Sequence, residues 1–72
     1  MPTFWPHARK RMEERKITED EVLAALKRRS GDPRAGDNGR IVVFGYGRES
    51  RILKMVLTAD EQEIVSVMAL GE

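Results

Sequence analysis

Apolar positions recur at helical spacing early in the chain and at alternating spacing later. Phe4, Ala8 and Met12 fall at successive i+4 steps and form a narrow stripe. Pro6 suits the first turn of a helix, and the residues from His7 to Arg15 include no Gly, Pro or β-branched residue, so a helix is predicted over 6–15. Thr18 is a strong N-cap, Glu21 stands where a capping box requires it, and Ile17 and Val22 occupy the two positions of a hydrophobic staple. A second helix is therefore predicted over 19–29, with acids in its first turn, bases in its last, and Val22, Leu23, Ala25 and Leu26 facing inward. With only Lys16 and Ile17 between them, the two should form a tight helical hairpin.

Residues 30–39 are rich in Gly, Asp, Pro, Arg and Asn, which is loop chemistry and marks the segment expected to be most mobile. Beyond it, 40–46, 51–58 and 63–70 are rich in β-branched and apolar residues and are separated by short turns. They predict a three-stranded antiparallel meander. Alternation places Val42, Phe44 and Tyr46 together on the first strand, Leu53, Met55 and Leu57 together on the second, and Val65 and Val67 together on the third. The opposite parity is also apolar, so the second sheet face suggests an interface. The expected fold is α+β, with an N-terminal helical hairpin packed on one face of a three-stranded sheet (ααβββ).

Composition narrows the functional classes. Seventy-two residues form one domain, 1–72, with no room for a barrel or a doubly wound nucleotide-binding sheet. The chain has no cysteine, which removes disulfides, thiolate metal sites and thiol nucleophiles. A core this small is marginal alone, so a second copy or a partner is expected. No apolar run approaches the ~20 residues of a membrane span, and the start of the chain lacks the pattern of a secretion signal. A cytoplasmic location is the expectation. The net charge is +1, but bases predominate up to Gly36 and acids after it, a mild bias that can still hold phosphates. There is no internal repeat, P-loop or EF-hand loop. Gly45-Tyr46-Gly47 is superficially like a phosphate loop but reads better as a strand end, since no helix follows it.

Candidate chemistry concentrates in the first helix. His7, Arg11 and Arg15, at i, i+4 and i+8, project from one side of it. At the positive end of a helix, beside arginines, an imidazole suits the role of proton acceptor, and guanidinium groups can hold a phosphate bidentately. Together they suit metal-independent cleavage of RNA, in which a base takes the ribose 2′-hydroxyl proton and the oxygen attacks the adjacent phosphorus. A second reading stands beside it: His7 as an ordinary first-turn residue, and Arg15 as a boundary residue with its stem on the core and its guanidinium on carbonyls or a loop carboxylate. Arg9 and Lys10 read as solvated surface. A lone histidine disfavours a catalytic metal site, and Ser50 and Ser66 lack a local partner for nucleophilic work. Trp5, Phe4 and Tyr46 are the aromatic residues on which a base could stack, Phe4 being the better candidate for the core.

The pattern His7-Ala8-x-x-Arg11-Met12-x-x-Arg15-x-Ile17-Thr18-x-x-Glu21-Val22 resembles the opening of a group of small bacterial and archaeal domains of unknown function. Arg40-Ile41-Val42-Val43 and the segment Glu63 to Met68 are similar to strands of that group. Two differences are Ser66, where a threonine is usual, and Lys16, where a glycine is frequent. The group's order of elements is in turn similar to that of the RelE and BrnT ribonuclease toxins, some of which carry a further strand before the helices that is not expected here. This resemblance implies a toxin-like endoribonuclease with His7, Arg11 and Arg15 in the catalytic site, no cofactor and no metal. Its product would be a 2′,3′-cyclic phosphate, with RNA as substrate and an antitoxin as partner. Lys54 would add charge to such a site. The alternative is a non-catalytic protein-interaction or weak nucleic-acid-binding module.

Overall fold

The computed structural model describes residues 2–70 and is an α+β arrangement of two helices on one face of a five-stranded sheet. The elements are β1 (Thr3–Phe4), α1 (Pro6–Arg15), α2 (Glu19–Lys27), β2 (Arg34–Ala35), β3 (Ile41–Tyr46), β4 (Ile52–Leu57) and β5 (Glu63–Ala69), with sheet order β1-β5-β4-β3-β2. The expected three-strand meander is the centre of this sheet. Two short strands extend it beyond the expectation: β1 pairs parallel with β5, and β2 pairs antiparallel with β3. Each is two residues long, too short for alternation to reveal, and each exists because a longer neighbour offers unpaired backbone groups. A strand does therefore precede the helices, and the predicted 30–39 loop contains β2.

Pro6 occupies the start of α1, whose buried residues are Ala8 and Met12. The helix ends where Lys16 enters the left-handed region at φ 56°, letting the Ile17 N–H reach the Met12 carbonyl at 2.8 Å and turning Ile17 into the core. The Thr18 hydroxyl accepts from the Glu21 N–H at 3.1 Å, as the cap predicts. The other half of the capping box does not form, because the Glu21 carboxylate is drawn elsewhere. α2 ends at Lys27, two residues before the predicted end; Arg28 and Ser30 then donate their backbone bonds toward Ala24 and Ala25 and toward Phe44, respectively. The helices do not form a self-contained hairpin: α1 lies along β5, and α2 along β3 and β4.

The core is a single cluster in which Leu53, Met55, Leu57, Ile64, Val22, Val43 and Val67 are fully buried. Each such side chain contributes roughly 1.5–3 kcal/mol. The strand parities correct the expected pairing of faces. Leu53, Met55 and Leu57 face the helices, but Val42, Phe44 and Tyr46 do not, because their neighbour Gly45 is the residue held against α2. A bulge opposite Val56 and Leu57 separates Val65 from Val67, so Ile64 and Val67 join the core while Val65 lines the opposite, uncovered face.

Candidate functional site

Among the described residues no helix covers the second sheet face. The register places Phe44, Lys54 and Met68 in one row across it, and Val42, Val56 and Ser66 in the next. A groove of about 490 Å³ lies on this face, its polar lining supplied by His7, Asp37, Arg40, Lys54 and Ser66. His7 is exposed and enters from the first turn of α1, at the β5 side of the sheet. Lys54 rises from the middle of β4, and Arg40 stands just before β3.

The Arg40 guanidinium lies 5.0 Å from the centre of the Trp5 ring. Trp5 is fixed in turn, since its indole N–H donates to the Glu63 carboxylate at 2.8 Å and its backbone N–H to the Ile64 carbonyl at 2.9 Å. A cation held against an indole keeps its charge while losing freedom, which suits it to bind an incoming anion. Glu63, the carboxylate nearest this rim on β5, is occupied by the indole.

Arg11 and Arg15 do not line this groove. They lie over a smaller adjoining cleft of about 60 Å³, with Ser66, Val67 and Met68. Ser66 borders both hollows, so the imidazole lies on one side of it and the two guanidinium groups on the other. Both arginines are exposed, and among the described residues no carboxylate or carbonyl holds either guanidinium. Arg9, by contrast, pairs with Glu19 and lies over the Phe4 ring. Phe4 is in the core.

Arg40 and Asp37 could not have been assigned to a site from the sequence, because their position depends on the β2–β3 corner folding over the sheet. Lys54 carried a visible signal: it is the one charge inside an otherwise apolar strand. Among the described residues no group of three His, Cys, Asp or Glu side chains is placed to hold a metal ion. No helix among them is long and apolar enough to cross a membrane.

The fold and site define a small α+β domain with one helix-covered sheet face and one open, cation-bearing face. Residues 4–69 match the family model DUF4258, a domain of unknown function, and the chain belongs to that family. No curated protein and no solved structure matches it.

Proposed function

We propose that this protein is a metal-independent endoribonuclease of the toxin type, with the open sheet face as its RNA site. The observation that carries the reading is the shared border at Ser66, with His7, Lys54 and Arg40 in the groove on one side and unengaged Arg11 and Arg15 on the other. The His7 imidazole accepts the proton of a ribose 2′-hydroxyl as its oxygen forms a bond to the adjacent phosphorus. The bond from phosphorus to the 5′-oxygen breaks, and the Lys54 ammonium donates the proton that the leaving oxygen requires. The products are a 2′,3′-cyclic phosphate and a 5′-hydroxyl, and solvent returns both groups to their starting states. Arg40 neutralises the phosphate as charge accumulates on it, the contribution usually largest in such reactions, while Arg11 and Arg15, over the adjoining cleft, hold neighbouring phosphates of the strand. An antitoxin covering this face would hold the enzyme inactive.

The test is incubation of purified protein with cellular RNA in chelator. Chelator-resistant cleavage ending in a cyclic phosphate is expected, and His7→Ala should reduce it by about 10²–10⁴-fold with the melting temperature unchanged. Cleavage that needs a divalent ion, or that survives His7→Ala, overturns the reading. A second reading, a non-catalytic protein-interaction or weak nucleic-acid-binding module, is favoured in its interaction form by Tyr46, Ile52, Met68 and Leu70, which are 36–47% exposed. It predicts an oligomer or heteromer by light scattering and no cleavage.

A further inference from the structure

Beside the groove, the same sheet face carries aromatic rings that neither the core nor the proposed cleavage uses. Phe44 and Tyr46 are two residues apart on β3 and therefore project from the same side, away from the helices. The Arg34 guanidinium lies 5.4 Å from the centre of the Phe44 ring, and Lys54 stands directly across from Phe44 on β4. Tyr46 is 37% exposed, its hydroxyl turned toward Ser30 at 3.5 Å. The platform thus carries the exposed Tyr46 ring, a Phe44 ring with the Arg34 guanidinium over its face, a second cation at Lys54, and continuity with the groove through Lys54.

We infer that the Tyr46 ring and the Arg34 guanidinium held over Phe44, with Lys54 beside them, form a base-stacking subsite for single-stranded RNA. The inference depends on the proposed function only for the choice of RNA. Stacking on an aromatic ring or a guanidinium plane tolerates any base, while the flanking Lys54 follows the phosphates, the combination used wherever single strands are held without sequence preference. The spacing selects against a duplex. Side chains two residues apart on a strand are separated by about 6.8 Å, at about 3.4 Å per residue. Bases in a helical strand are about 3.4 Å apart. Two bases can meet the Tyr46 ring and the guanidinium over Phe44 at the same time only if they are spread apart from one another. A bare sheet face is also too broad to enter the deep, narrow groove of an RNA duplex. Charge complementarity separates this occupant from a second copy, which would bring Arg34 and Lys54 against cations of its own.

The experiment is fluorescence anisotropy with a labelled eight-nucleotide single-stranded RNA, the same RNA annealed to its complement, and the DNA strand of the same sequence. The His7→Ala protein is used so that the probe survives. Tyr46→Leu keeps apolar bulk but removes the ring, and should weaken single-strand binding by about 5–100-fold, whereas Tyr46→Phe should stay within about twofold. The duplex should bind more weakly than the single strand. DNA bound as tightly as RNA supports stacking, because the rings do not read the 2′-hydroxyl. Unchanged affinity in Tyr46→Leu, equal affinity for duplex, or a dimer that Tyr46→Leu dissociates overturns the subsite. Melting curves establish that Tyr46→Leu is folded, and Arg34→Gln, which alters an exposed side chain, should lower affinity severalfold and gives an independent reading. Tyr46-dependent binding without cleavage by the unsubstituted protein would overturn only the ribonuclease, and cleavage with Tyr46-independent binding only the subsite.

Discussion

Glu21 and Arg51 form a two-pronged pair that fastens the start of α2 to the turn between β3 and β4: Nε and Nη2 of the arginine each donate to a carboxylate oxygen at 2.6 Å. The Arg48 N–H adds a third bond to the same carboxylate at 2.9 Å. Glu21 is the one buried acidic residue among those described, and with three donors no oxygen of it is left unsatisfied. This arrangement explains why the predicted capping box is only half formed.

The pair makes stability depend on acid. The Arg51 guanidinium, helped by the Arg48 N–H and opposed by burial, holds the Glu21 carboxyl below its ordinary value of 4.5. Its contribution is present in full above that value and is lost as pH falls through the lower, native one. Glu21→Gln should cost about 2–3 kcal/mol near neutrality, discounted from a fully buried pair because Arg51 is partly exposed. The gap in melting temperature between parent and variant should narrow progressively as the pH is taken below 4.5. Asp60, held low by the Thr58 hydroxyl, titrates in the same direction in both proteins, so the difference between them isolates Glu21. A gap independent of pH would refute the assignment.

Gly45 is fixed by contact. A Cβ there would lie 2.1 Å from the Ala25 carbonyl oxygen, which is backbone and cannot step aside. Gly45→Ala should destabilise by about 3 kcal/mol through forced separation of α2 from β3, measured by denaturant unfolding. A loss below about 1 kcal/mol would show that the helix is not seated there.

Five of the described non-glycine residues hold left-handed backbone: Lys16 at the end of α1, Glu49 and Ser50 in the β3–β4 turn, at φ 56°, 56° and 61°, and also Asn38 and Glu61, at φ 57° and 62°. Each conformation costs roughly 1–2 kcal/mol for an L-residue. Lys16→Gly and the double change Glu49→Asn with Ser50→Gly should each raise stability by about 1 kcal/mol, a gain of roughly 4–8 °C for a domain of this size.

The cations at Arg11 and Arg15 should act on phosphate rather than on base identity. Replacing both with Gln should weaken RNA binding uniformly across sequences and lower the slope of log affinity against log salt by about 1.4, at about 0.7 per phosphate contact on single strands. The melting temperature should change little, since neither guanidinium is held by a described residue. An unchanged slope would place them outside the RNA path.

The helices and the three long strands were legible in the chain because local chemistry determines them. Pro6 and Thr18 mark helix starts, Met12 and Ala8 the buried stripe, and the alternation of β4 its core face. The same local chemistry carried His7, Arg11 and Arg15 as a group on one helix. What it could not carry was anything that depends on which face a distant element covers. That α2 presses on Gly45, and so sends Phe44 and Tyr46 to the open side, follows from packing between residues twenty positions apart. The parting of His7 from Arg11 and Arg15 around Ser66, and the arrival of Arg40 over Trp5, are likewise products of strand order. Hydrogen bonds and burial between segments remote in sequence decide strand order, and neither leaves a periodic trace in the residues that provide them.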